Sequence, residues 1–96
     1  MGSEMCIRDS FKKEDYAKLG DLYLKMENYE KALPAFDKCV SLEFDNPHYR
    51  NQRGFTHLEL RNYKLAVKDL EAAVSYNPNF ELARRNLSKA KYLLGD

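Results

Sequence analysis

The chain has 96 residues, 32% of them charged, with 16 Lys and Arg against 15 Asp and Glu for a net charge of +1. A chain this short holds one core without an elaborate active-site cleft, and its balanced charge lacks the basic footprint that nucleic acid requires. No apolar run nears the roughly 20 residues that span a bilayer, no stretch resembles a signal peptide, and two cysteines make no disulfide framework, so the expected setting is cytoplasmic.

In chain order, the opening MGSEMCIRDS continues none of the periodicity that follows. The myristoylation pattern asks for Ser or Thr at position 6, where this chain has Cys6. Reverse translation of Glu4–Ser10 as GAG-ATG-TGT-ATA-AGA-GAC-AG resembles the mosaic-end adapter of transposon-made sequencing libraries. Residues 1–12 are therefore expected to be a disordered leader of artefactual origin, set aside from fold reasoning, with the natural protein extending beyond this start.

From Lys13 onward the chain repeats itself. At an offset of 34 residues Gly20 meets Gly54, Leu24 meets Leu58, Asn28–Tyr29 meets Asn62–Tyr63, Ala32 meets Ala66, and Val40–Ser41 meets Val74–Ser75. Each unit reads as two helices. In the first, Tyr16, Leu19, Tyr23 and Met26 recur at helical spacing, Glu27–Asn28 breaks the pattern, and Tyr29, Leu33, Phe36, Cys39 and Val40 form a second stripe. The second unit breaks at Arg61–Asn62 and continues with Tyr63, Val67, Leu70, Ala73 and Val74. Asn46–Pro47 and Asn77–Pro78 part the units, because a residue before proline is pushed out of helical geometry. A fifth helix, 80–94, aligns Ala83, Leu87, Ala90 and Leu94, and places Leu87–Ser88 where Leu19–Gly20 stood.

The period, with Tyr16, Leu19–Gly20, Tyr23, Ala32, Phe36 and Cys39 in one unit and Gly54, Ala66, Leu70, Ala73 and Pro78 in the next, resembles the tetratricopeptide repeat family. The resemblance implies an all-α fold of antiparallel helix hairpins in a right-handed α-solenoid, with five helices. It divides the chain into repeats at 13–46 and 47–80 and a capping helix at 81–96. Two departures concern packing. Arg50, Arg53 and His57 replace a bulky residue, Leu and Tyr, leaving Tyr49, Phe55 and Leu58 to fill the gap; Pro34 forfeits a bond to the Glu30 carbonyl and must face solvent early in its helix.

No constellation for catalysis stands out, and no cofactor is expected. His48 and His57 lie nine residues apart on one helix, on opposite faces, so they cannot share a metal. His57 takes a core position, and Cys39 reads as a small buried hydrophobe rather than a nucleophile. No phosphate loop, HExxH or paired-cysteine motif occurs, and an enzyme is not expected.

The resemblance instead implies protein–protein interaction, a partner's peptide or helix lying in a concave groove. The matching groove positions are Ala17, Asp21, Leu24, Asn51, Phe55, Leu58, Arg85, Lys89 and Tyr92. Family members that clamp acidic chaperone tails use Lys, Asn, Asn, Lys and Arg at positions that here hold Ala17, Asp21, Gln52, Leu82 and Asn86, so clamp-type binding is not expected. The alternative is a self-associating fragment of a longer array, joined through the C-terminal helix, whose Leu82, Tyr92 and Leu93 lie off its packing stripe. The basic Arg84, Arg85, Lys89 and Lys91 read as a solvated face suited to a helix C-terminus.

Overall fold

The computed structural model describes residues 13–95; the expectations for the leader and for Cys6 lie outside them. Five helices follow one another: α1 (Lys13–Lys25), α2 (Tyr29–Leu42), α3 (Pro47–Glu59), α4 (Tyr63–Tyr76) and α5 (Glu81–Leu94), with no strand among the described residues. α1 pairs with α2 and α3 with α4 as antiparallel hairpins, and α5 packs on the second hairpin.

Local chemistry sets the boundaries. α1 and α3 end in the same device without glycine: Glu27 (φ 57°) and Arg61 (φ 66°) take the left-handed conformation. Asn28 and Asn62 then donate their N–H groups back to the Tyr23 and His57 carbonyls at 2.8 Å. This doubled-back bond satisfies the last carbonyls of a helix. Asn46 caps α3 by accepting from the N–H groups of His48 (2.9 Å) and Tyr49 (3.3 Å), with Pro47 at the first position, where a missing N–H costs nothing. Pro34 lies inside α2 and is exposed, as its chemistry demands.

Each hairpin closes on a glycine. A Cβ on Gly20 would stand 2.6 Å from the Phe36 ring, and one on Gly54 would stand 2.7 Å from Leu70 Cγ, so the hydrogen is what admits the second helix. Around these contacts gather two apolar clusters. Ala32, Phe36, Cys39, Val40 and Tyr49 form the first, and Leu58, Ala66, Leu70 and Ala90 the second. Tyr49 belongs to α3 yet sits in the first cluster, and Ala90 of α5 sits in the second, so each hairpin is completed by the helix that follows it. Tyr49 and Leu58 are buried, Tyr49 in the first cluster and Leu58 in the second, whereas Phe55 is only partly buried.

Gly54→Ala tests this closure. Ala favours a helix over Gly by about 1 kcal/mol, but overpacking a tight contact costs about 1–3 kcal/mol. A net loss of stability in urea unfolding is the expected result.

Candidate functional site

The first helices of the successive hairpins, α1 and α3, together with α5, line one side of the molecule. Polar bonds staple them: Gln52 of α3 donates its Nε2 to Asp21 Oδ1 of α1 at 2.7 Å, and Asn86 of α5 donates its Nδ2 to Asn51 Oδ1 of α3 at 3.0 Å. Between these staples lies a depression of about 160 Å³ lined by Leu24, Asn51, Gln52, Phe55, Leu82 and Asn86. Leu24, Phe55 and Leu82 give it apolar walls, and the amides give it a polar floor. Phe55 is steadied edge-on by Tyr29, with ring centroids 6.4 Å apart.

Asn51 is fully buried, and its Nδ2 has no hydrogen-bond partner among the described residues. A buried amide donor without an acceptor costs about 1–3 kcal/mol.

The expected groove residues divide. Leu24, Asn51 and Phe55 meet in the depression, and Asp21 joins its edge through Gln52. Ala17 and Leu58 pack into the two apolar clusters, Leu58 being only 4% exposed, so it offers a ligand nothing. Arg85 lines a separate depression with Glu81, Arg84 and Ser88, while Lys89 and Tyr92 stand in solvent. Leu82 lines the depression and remains 50% exposed, and Tyr92 and Leu93 are exposed as well.

Behind the groove lies a cluster that reading α3 by itself does not reveal. Asp69 of α4 is 3% exposed and is held by three side chains of α3. Arg53 reaches it with two nitrogens at 2.8 Å, Arg50 Nη1 lies at 3.2 Å, and His57 Nε2 at 3.9 Å. Arg53 also reaches Asp37 of α2 at 3.1 Å, so one guanidinium joins both hairpins. Its planar fork suits such two-sided pairing, which Lys could not reproduce. The carboxylate of Asp69 holds the Arg53 guanidinium charged more firmly than usual. The sequence signal was the offset of 34: Tyr16, Leu19, Tyr23 and Ala35 of the first unit stand where the second has Arg50, Arg53, His57 and Asp69. Four apolar positions have turned polar together.

His57 lies buried in this cluster, its Nδ1 3.4 Å from Asn62 Nδ2. Burial lowers its pKa below the ordinary 6.5, with Asp69 opposing that shift and Arg53 adding to it. Burial, with the charge of Asp21, pushes the Cys39 thiol up to about 11, leaving it unreactive at neutral pH. No group of three or more His, Cys, Asp or Glu side chains among the described residues is placed to hold a metal ion. No helix among them is long and apolar enough to cross a membrane.

These hairpins, closed on a glycine and completed by the next helix, define a helical-repeat protein with a groove along its first helices. The chain belongs to the tetratricopeptide repeat family, whose sequence model matches residues 16–46 and 47–80. It is 30% identical over 83 residues to the TPR repeat-containing thioredoxin TTL4 of Arabidopsis thaliana, covering 86% of this chain and 12% of that protein. It is 31% identical over 84 residues to small glutamine-rich tetratricopeptide repeat-containing protein 2 of Saccharomyces cerevisiae, covering 88% and 24%. The chain thus spans a quarter or less of these relatives. Among solved structures, the first repeat domain of Spaghetti (RPAP3) bound to the HSP90 peptide SRMEEVD superimposes with a TM-score of 0.83 at 23% identity, over 88% of this chain and 67% of that one. The Sgt2 repeat domain of Aspergillus fumigatus gives 0.83 at 21% identity, over 88% and 56%. At these identities the likeness is one of fold.

The lowered pKa of His57 predicts an acid-sensitive fold. The unfolded chain binds the His57 proton more readily, so stability contributed by the neutral ring is present above pH about 6.5 and is lost as pH falls below it. Thermal midpoints measured from pH 7 to 5 should fall in the parent and fall less steeply in His57→Gln.

Proposed function

We propose that this chain is a protein-interaction module whose groove takes an apolar side chain of a partner peptide between Leu24, Phe55 and Leu82. The observation that carries the reading is the depression itself, where Leu24, Phe55 and Leu82 from three different helices converge. The repeat family is one of protein-interaction modules, and structures of similar fold hold peptides: Spaghetti (RPAP3) the HSP90 peptide SRMEEVD, and the second repeat domain of human RPAP3 the HSP70 peptide SGPTIEEVD.

The ligand chemistry here differs from those acidic tails. Ala17, Asp21, Gln52, Leu82 and Asn86 place no cation along the groove, and Asp21 repels a carboxylate. A neutral segment, apolar at one position, fits the apolar walls. Nothing in the arrangement calls for catalysis.

A second reading, self-association, has one observation in its favour. Leu19, Leu22 and Met26 are 42%, 52% and 59% exposed on the outward face of α1. That is the face by which α3 and α5 pack on the hairpin before them. α5 itself, with Arg84, Arg85, Lys89 and Lys91, suits self-association less.

Selection of random peptides of about twelve residues against the whole chain, with amide shift mapping of the winners, tests the first reading. Shifts are expected at Leu24, Gln52, Phe55 and Asn86. Phe55→Ala, which removes one apolar wall of the depression, should weaken these peptides at least about tenfold while unfolding stays cooperative. Low-micromolar binding of SRMEEVD, or winners that map elsewhere, would contradict the reading. A mass that rises with concentration and is reversed by Leu22→Lys would favour self-association.

A further inference from the structure

We propose that Tyr29 of α2 is a positioning residue of the groove. Resting on the reading that the groove binds a peptide, its role is to hold the Phe55 wall in its binding orientation through the edge of its ring.

Phe55 is only partly buried, yet it forms one apolar wall of the depression, with Leu24 and Leu82 forming the others. An aromatic side chain so placed turns about χ1 unless a neighbour stops it. A ligand that needs one orientation then bears the entropy of fixing it. The neighbour is Tyr29. Its ring stands edge-on to that of Phe55, with centroids 6.4 Å apart and planes at 76°. Aromatic rings favour this geometry because a positive edge meets a negative face. Tyr29 does not line the depression, and it acts from the side, out of the second helix of the first hairpin.

Tyr29 is itself placed by the backbone. It is the first residue of α2, and the turn before it is closed by several contacts. Glu27 takes φ 57°, Asn28 donates its N–H to the Tyr23 carbonyl at 2.8 Å, and the Asn28 side chain accepts from the Lys31 N–H at 3.4 Å. The turn between α1 and α2 is thus linked through two rings to the seat of the ligand.

The second unit shows that the pair is no by-product of the repeat. At an offset of 34 residues the same turn delivers Tyr63, which packs against the second apolar cluster. The place of Phe55 is taken there by Lys89, which is exposed. The tyrosine recurs with the turn; the ring it holds stands where the depression lies.

Two variants separate the ring from its bulk. Tyr29→Phe keeps the edge contact, and Tyr29→Leu keeps an apolar side chain without it; both should still unfold cooperatively in urea. In the free chain, the three-bond couplings of Phe55 should report one χ1 rotamer in the parent and in Tyr29→Phe, and an average over rotamers in Tyr29→Leu. The tightest of the selected peptides is the binding probe. Tyr29→Leu should weaken it by about threefold to tenfold, and Tyr29→Phe should leave it within about twofold of the parent. In the Phe55→Ala background Tyr29→Leu should change the affinity no further, because a residue acting through Phe55 has nothing left to act on. An unchanged Phe55 rotamer in Tyr29→Leu, or losses that add in the double variant, would overturn the proposal. Weakening by Phe55→Ala but not by Tyr29→Leu would also overturn it, leaving the groove reading intact. A selection without groove-binding peptides, or a Phe55→Ala chain that binds as the parent does, would overturn both.

Discussion

The second hairpin is closed around one buried carboxylate. Asp69 projects from α4 into α3 and collects Arg50, Arg53 and the edge of His57, and Arg53 carries the link on to Asp37 of α2. Three helices are thereby tied at one point. A buried charge is costly to desolvate, and only near-complete pairing offsets that cost. The two-nitrogen grip of Arg53 at 2.8 Å meets the condition. The first hairpin has Tyr16, Leu19, Tyr23 and Ala35 at the same positions, with Leu19 42% exposed, so the clasp is one solution among those the fold allows. A directional network fixes an angle more narrowly than interchangeable apolar contacts can.

The groove is built across a different set of helices. Leu24 comes from α1, Asn51 and Phe55 from α3, and Leu82 and Asn86 from α5. None of these helices makes the depression alone. The Gln52–Asp21 and Asn86–Asn51 bonds hold the helices on the groove side, while the Asp69 clasp closes the second hairpin behind them and Arg53 extends to the exposed Asp37 of the first.

Much of this was legible in the residues. The offset of 34 and the breaks at Glu27–Asn28, Asn46–Pro47 and Arg61–Asn62 mark the helices, because turn and cap chemistry is local. Gly20 and Gly54 announce close approach for the same reason. The groove was half legible. Periodicity tells which residues share a helix face, but not how far that face is turned toward the next hairpin. Leu58 therefore reads as a groove residue and lies in the core, while Gln52, Leu82 and Asn86, which line the depression, come to notice only through the clamp comparison. The clasp was the least legible, since Arg50, Arg53 and His57 in isolation look like a weakened core. Only Asp69 opposite Ala35, in another helix, reveals that the polarity is matched.

The central claim is that the Asp69 network replaces, as a unit, the apolar packing of the first hairpin. The most direct measurement compares the urea unfolding free energy of Asp69→Ala with that of the chain carrying Arg50→Tyr, Arg53→Leu, His57→Tyr and Asp69→Ala together. Removing the carboxylate alone strands buried cations and should cost about 3–5 kcal/mol, whereas the fourfold replacement should recover cooperative unfolding within about 1 kcal/mol of the parent or above it. A fourfold variant as unstable as Asp69→Ala, or an Asp69→Ala chain as stable as the parent, would contradict the account.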